Sequence, residues 1–398
     1  MSKKTVRDIS VDGKRVLLRV DYNVPLMPGA AHIADDSRLQ ATLPTIHYLL
    51  EHRAAVVLCS HLGRPGGKVM EEMRLKPIAE RLEALLGKPV AHVQECIGPQ
   101  AHQAAARLQP GQVLLLENLR FHPEEERNDS AFARDLASLA DLYVNDAFAA
   151  AHRAHASIEG VTHHLPAVAG FLMERELQML GQVLDNPKRP LVAILGGAKV
   201  GDKIGVLENL LGRVDALLIG GGMAATFLKA QGCRVGASQV EEARLGFAQA
   251  LFQKAQARGI PLVAPVDVVV ASAFAAAAPH RVVPVGQVPE GWLILDVGPG
   301  TIESFKSHLQ RARTVFWNGP LGVFEFPAFA EGTKALARLL ASLKDATTIV
   351  GGGSTAEVVH ELGLQGAMSH VSTGGGASLE FLDGRELPGV AALLDKEG

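Results

Sequence analysis

Lys199 and Lys203 follow directly on Gly196-Gly197 in the stretch LVAILGGAKVGDKIGVLENLL, residues 191–211. Two ammonium groups four residues apart share one face of a helix, provided the helix has already begun there. They would then sit beside N-terminal N–H groups that favour anions. That arrangement suits the holding of phosphate. An ordinary strand-to-helix unit with two solvated lysines reads the same way, so the rest of the chain must decide. No G-x-x-x-x-G-K-[ST] occurs and no G-x-G-x-x-G follows a strand, so the common nucleotide signatures are absent.

Arginines supply the second candidate set. Four apolar runs each lead into a polar cluster: 14–20 into Asp21-Tyr22-Asn23, 54–59 into His61-Leu62-Gly63-Arg64, 113–116 into Asn118 and Arg120, and 142–144 into Asp146, His152 and Arg153. Arg38 opens the helix that follows the first run, with Asp36 and Ser37 as candidate caps and a kink or later start expected at Pro44. Taken singly, each arginine reads as a surface charge and His61 as a structural or solvated histidine. Right-handed crossovers put the carboxyl ends of parallel strands on one side of a sheet, so Arg38, Arg64, Arg120 and Arg153 together describe one basic pocket. The arginine fork suits a ligand with phosphate and carboxylate groups.

The elements that must position these groups alternate strand and helix to the end of the chain. Strands at 216–219, 262–264, 314–317, 347–350 and 368–371 run into loops, three of them glycine clusters: Gly220-Gly221-Gly222, Gly351-Gly352-Gly353-Ser354-Thr355 and Gly374-Gly375-Gly376. Such clusters are either tight connections or backbone that phosphate can approach closely. Residues 171–186 have helical apolar spacing and end at Asn186-Pro187, which predicts a helix bridging two lobes. A chain of 398 residues exceeds what one core usually holds, so two domains are expected.

Composition narrows the function classes. A formal net charge of −3 argues against a general nucleic-acid binder, so any anion site is local. Cys59, Cys96 and Cys233 form neither a C-x-x-C pair nor an even framework, which favours reduced thiols and a cytoplasmic address. No apolar run suggests a signal peptide or a membrane span.

The motifs RVDYNVP (19–25), SHLGRP (60–65), LENLRFHPEEE (116–126), VNDAF (144–148), AHRAHAS (151–157), LGGAKVGDKI (195–204), IGGGMA (219–224), WNGPLGVFE (317–325) and VSTGGGASLE (371–380) occur in this order. Together they resemble the phosphoglycerate kinase family from end to end. The resemblance implies an α/β fold of two doubly wound parallel-sheet, Rossmann-like lobes joined by a helix, with an interlobe cleft. Residues 1–170 would form the N-terminal 3-phosphoglycerate-binding lobe, 171–187 the interdomain helix and 188–385 the nucleotide-binding lobe, with 386–398 packing back on the first. It implies a cytoplasmic, monomeric enzyme of glycolysis that transfers phosphate between 1,3-bisphosphoglycerate and ADP, giving 3-phosphoglycerate and ATP. The transfer would be in line after lobe closure and would use Mg²⁺, without nucleic-acid or membrane partners.

By the same resemblance, Asp21, Tyr22, Asn23, Arg38, His61, Leu62, Gly63, Arg64, Arg120 and Arg153 hold 3-phosphoglycerate. Gly196, Gly220, Gly221, Asn318, Pro320, Val323 and Glu325 surround the nucleoside, Lys203 meets its phosphates, and Gly352, Gly353, Ser354 and Thr355 receive the phosphate tail. Phosphoryl transfer needs alignment and charge compensation more than covalent help from the protein. Arg38 and Lys199 are therefore the expected clamp on the migrating group, with helix N-termini at Gly352 and Gly375 adding donors.

The sequence departs from the family pattern at Ser354, where an aspartate associated with the nucleotide's Mg²⁺ is usual. No residue is assigned as a certain metal ligand, and the ion is expected to arrive with the nucleotide, near Ser354. Ala149 and Ala150 replace a common glycine and threonine, and Ala225 stands where a larger or polar residue is common.

Overall fold

The computed structural model describes residues 3–25 and 33–396. The chain divides into two compact units, residues 1–178 with 386–398 and residues 179–385. The partition falls inside the helix Phe171–Leu184.

Unit 1 is built on six parallel strands: β1 (Arg15–Arg19), β2 (Ala55–Cys59), β3 (Val90–His92), β4 (Val113–Leu115), β5 (Leu142–Asn145) and β6 (Ala167–Ala169). Their order is β3-β4-β2-β1-β5-β6. Strands buried on both faces need continuous apolar runs, and β2 is buried at every residue. The short strands β3 and β6 have too little periodicity to stand out in the sequence. The order reverses between β1 and β5, and the crevice outside such a switch point is where open α/β sheets place ligands.

The helix Ser37–Glu51 starts where Arg38 requires and runs unbroken through Pro44. The exposed proline ring lies on the solvent side, where water can satisfy the carbonyl it leaves unpaired. Asp36 does not cap this helix with its side chain. Its carboxylate instead accepts from Gln40 and Arg81, and Asp35 takes the Ser37 N–H at 2.8 Å.

Residues 386–396 belong to unit 1; residues 397 and 398 of the expected tail lie outside the described residues. Lys3 pairs with Asp395 in a β-bridge, and Asn145 at the end of β5 donates to the Gly389 carbonyl at 3.2 Å. Asp146, the next residue, is fully buried and accepts from the Leu172 and Met173 N–H groups, which fixes the start of the helix Phe171–Leu184.

Unit 2 repeats the plan with β7 (Leu191–Leu195), β8 (Ala216–Ile219) and β9 (Leu262–Val263). It then adds an antiparallel sheet, β10 (Asp267–Ala271), β11 (His280–Pro284) and β12 (Leu293–Val297), before β13 (Thr314–Asn318), β14 (Thr347–Gly351) and β15 (His370–Val371). The parallel sheet has the order β15-β14-β13-β7-β8-β9, with its reversal between β7 and β13. The antiparallel sheet, in the order β11-β10-β12, was not expected from sequence. The segment 272–279 between β10 and β11, SAFAAAAP, lacks the short glycine or asparagine turn that marks a hairpin. Among the described residues no helix is long and apolar enough to cross a membrane.

Candidate active site

In unit 1 the expected pocket residues converge at the carboxyl ends of β1, β2 and β4. Arg38 forms a short ion pair with Asp21, whose other oxygen accepts from the Asn23 N–H at 3.1 Å. Asn23 Oδ1 in turn accepts from the Gly63 N–H at 2.8 Å, and Arg120 Nη1 donates to the Gly63 carbonyl at 2.7 Å. The loop after β2 is thus held from two sides. Asn118 completes the clamp by accepting from the Leu62 N–H and donating to the Leu62 carbonyl at 2.8 Å.

Electrostatics confirm how closely the charges gather. Burial pushes the His61 imidazolium well below its ordinary range; Asp21 pulls the other way, and Arg19, Arg120 and Arg153 push it down further. His155 is driven to about 4 by burial and by Arg120, Arg19 and Arg153. Burial raises Asp21, but the neighbouring His61, Arg38 and Arg19 and the Asn23 N–H more than offset it and hold the carboxyl below the usual range. With His61 neutral near pH 7, Arg38 and Arg19 are the standing charges on Asp21. A region that keeps two histidines neutral and one aspartate ionised is ready for an anion.

Other expected residues are placed differently. Tyr22 is buried, and its hydroxyl meets Thr42 Oγ1 at 2.9 Å, so its ring anchors the loop in the core. Leu62 is likewise buried. Arg64 is exposed and makes no ion pair among the described residues, and Arg153 is half-buried. Arg19 is the largest omission from the expected set: it ends the apolar strand β1, yet the residue is 1% exposed. The only sequence signal was a charge inside RVLLRVD, where a buried parallel strand should have none.

In unit 2 the lysine seat needs correction. The turn after β7 delays the helix, with a 3₁₀ turn at Gly201–Lys203 and the α-helix only from Ile204 to Leu211. Lys199 and Lys203 therefore do not share a helical face; Lys199 is exposed in the loop, while Lys203 is buried. The Glu241 carboxylate already accepts from the Val200 and Gly201 N–H groups. It holds the loop where a free helix start was expected.

Of the two roles open to the glycine-rich loops, those after β7 and β8 show the tight connection. Gly196 N–H donates to the Asn318 carbonyl and Gly197 N–H to Pro320, each at 2.9 Å, while Gly221 N–H donates to Leu321 at 3.0 Å. These donors are spent on binding the loops after β7, β8 and β13 to one another. A Cβ on Gly221, at φ +68°, would lie 2.4 Å from the Gly197 nitrogen, and one on Gly196 would lie 2.3 Å from the Pro320 oxygen. The glycines at these positions are needed for loop-to-loop packing.

The remaining polar groups lie along the end of β13 and the start of the next helix. Lys203 donates to Asn318 Oδ1 in a short contact, and the buried Asn318 Nδ2 has no partner among the described residues. Gly352, at φ +92°, opens the helix Gly353–Glu361, which no side chain caps. Ser354 is exposed there, whereas Thr355 Oγ1 turns inward to accept the Gly319 N–H at 2.8 Å. Gly375 opens the helix Gly376–Leu382, also without a side-chain cap. Val323 is half-buried, with its N–H on the Leu295 carbonyl, and Glu325 is exposed. Ala150 and Ala225 are buried in their turn and helix, where their N–H groups donate to the Ala147 and Gly222 carbonyls.

A guanidinium cluster at one switch point and a buried lysine beside an uncapped helix start at another define a two-domain α/β protein that handles phosphate groups. The family model described as phosphoglycerate kinase matches residues 6–385, and the chain belongs to that family. It is 59% identical over 396 residues to a phosphoglycerate kinase from Moorella thermoacetica and 57% identical to one from Pelotomaculum thermopropionicum, with 100% of each chain covered in both cases. It is also similar to the structure of phosphoglycerate kinase from Coxiella burnetii, at 42% identity, 98% coverage of both chains and a TM-score of 0.88.

Burial lowers the Lys203 ammonium to about 8, with Asp202 pulling it back up. A cation whose folded pKa is depressed costs stability while it stays protonated in the folded state. Stability of unit 2 should therefore rise with pH from about 8 towards 10.4, by up to roughly 3 kcal/mol. Both tryptophans, Trp292 and Trp317, belong to unit 2, so urea unfolding followed by their emission reports it alone. Lys203→Met should flatten the rise, and an unchanged slope would remove Lys203 as its source.

Proposed function

We propose that the chain catalyses reversible phosphoryl transfer between the acyl phosphate of 1,3-bisphosphoglycerate and ADP, as its family membership implies, with unit 1 holding the three-carbon acid and unit 2 the nucleotide. The observation that carries the assignment of unit 1 is the Arg38–Asp21–Asn23–Gly63–Arg120 network, which fixes a loop beside His61, an imidazole that burial and then the nearby arginines hold well below its ordinary range. Such a pocket suits a ligand bearing both carboxylate and phosphate. In unit 2, Lys203, the Asn318 amide and the helix start at Gly352 offer donors suited to nucleotide phosphates.

The carboxylate that accepts phosphate in the reverse direction is already ionised, so no general base is required. The protein's task is alignment and charge compensation, and we assign Arg38 and Lys199 to the migrating group. An acyl phosphate is open to hydrolysis, so closure that excludes water belongs to the proposal. X-ray scattering with both substrates bound should give a smaller radius of gyration than either substrate alone gives; equal radii would argue against closure.

Mixing the protein with Mg·ATP and 3-phosphoglycerate and measuring ADP release tests the assignment most directly. Release only in the presence of the acid is expected, and none under any condition would overturn it. Arg38→Ala should retain the fold and lower kcat by about 10²-fold, the scale for losing one charge-stabilising donor. A near-normal kcat would take Arg38 out of the clamp.

Magnesium fits this site as part of the nucleotide. Among the described residues no group of three or more His, Cys, Asp or Glu could hold a metal ion, and the Ser354 hydroxyl offers a neutral oxygen at most. Mg²⁺ keeps several waters and usually takes only one or two protein ligands besides phosphate. When bound, the ion would offset phosphate charge. Ser354→Asp adds a carboxylate at that position and should lower the Mg²⁺ concentration for half-saturation; an identical titration would refute the part given to Ser354.

A further inference from the structure

Arg19 and His61 hold an arrangement that substrate binding alone does not require. Arg19 Nη2 lies 3.1 Å from His61 Nδ1, with both side chains buried. A guanidinium has only donors, so the ring nitrogen facing it must present a lone pair. A neutral imidazole with its lone pair on Nδ1 carries its proton on Nε2. A doubly protonated ring would set an N–H and a positive charge against the guanidinium, consistent with the lowered pKa of His61. Among the described residues Nε2 makes no hydrogen bond, so its proton remains available to a ligand.

The guanidinium is itself held from behind. Its Nε donates to Ser157 Oγ at 2.9 Å, and Nη1 donates to the Val20 carbonyl. The Ser157 hydroxyl donates to Glu125 Oε1 at 2.6 Å, and its backbone N–H donates to Oε2 at 2.9 Å. Because the single hydroxyl proton goes to the carboxylate, Ser157 Oγ faces Arg19 with a lone pair. The direction of every bond is then set from Glu125 outward. Glu125 and Ser157 are both fully buried, and Tyr143 anchors the serine further by donating to its carbonyl at 2.8 Å.

We propose that Glu125, Ser157 and Arg19 are positioning residues that fix His61 as the neutral Nε2–H tautomer, so that it meets the substrate as a hydrogen-bond donor to an oxyanion oxygen. This rests on the assignment of the acid substrate to unit 1. A ring locked this way favours carboxylate or phosphate oxygens, which only accept, and rejects a ligand group that donates at the same point. It also excludes His61 from carrying a proton during turnover.

The test is a long-range ¹H–¹⁵N correlation spectrum of the uniformly ¹⁵N-labelled full chain near pH 7, with the His61 signals assigned by their loss in His61→Gln. The wild-type spectrum should show a pyridine-like Nδ1 and a pyrrole-like Nε2. Ser157→Ala should shift both towards the averaged values of mixed tautomers and raise KM for 3-phosphoglycerate about tenfold, the scale of one hydrogen bond to a charged group, with kcat changed far less. Glu125→Gln, which keeps the side-chain shape, should shift the spectrum the same way and serves if Ser157→Ala does not fold. A proton on Nδ1 in the wild type overturns the proposal, as does a variant that folds with spectrum and KM unchanged. If instead the tautomer is as stated but His61→Gln leaves KM for the acid unaltered, the failure lies in the substrate assignment of unit 1.

Discussion

The structure of unit 1 depends on keeping positive charge concentrated at one sheet edge while its own carboxylates and carbonyls make that charge tolerable. Like charges in a low-dielectric setting repel strongly, and burying a guanidinium is costly unless its donors are met. Arg19 meets the cost with Ser157, the Val20 carbonyl and His61, while the Glu125 carboxylate stands behind the serine. Arg38 leans on Asp21, and Arg120 on Glu126 and the Gly63 carbonyl. The two histidines yield their charge. Each counter-charge therefore does two things: it makes the field tolerable and it fixes a loop.

Unit 2 solves a different problem. The loops after β7, β8 and β13 are ordered by close approach of backbone to backbone, which glycine alone permits at Gly196 and Gly221. The buried cation, Lys203, is held by an amide oxygen and not by a carboxylate. An amide leaves the ammonium undercompensated, so the site remains receptive to a ligand's negative charge. The contrast between a guanidinium pocket stiffened by carboxylates and a lysine seat stiffened by glycines suits two ligands of different size and charge.

Much of this was legible in the sequence because parallel strands announce themselves as apolar runs, and their ends as the polar clusters that follow. The runs at 54–59 and 347–350 became β2 and β14 within a residue. The pairing of Arg38 with Asp21 also follows from topology, since a helix start and a strand end meet at a sheet edge. What remained hidden depends on which way a group faces. No pattern of residue types tells which carbonyl a glycine N–H will take, and those of Gly196 and Gly221 bind Asn318 and Leu321 in neighbouring loops. Glu241, forty residues downstream, seats the amides beside Lys199, and such a tertiary contact is invisible to local spacing. The antiparallel sheet β10–β12 was missed for a related reason: its hairpin connection is alanine-rich and carries no turn signal.

The division of the chain has a consequence for its synthesis. Unit 1 is discontinuous: its first 178 residues need the segment from residue 386 onward, whose Leu387, Val390 and Leu393 are buried and whose Gly389 meets Asn145 and Ala151. Domains usually fold in the order in which they leave the ribosome. Here the second unit, residues 179–385, emerges whole while the first is still missing its final piece. Unit 1 reaches its finished form only after translation has passed residues 179–385, so a nascent chain exposes an incomplete first unit for as long as the second takes to be made.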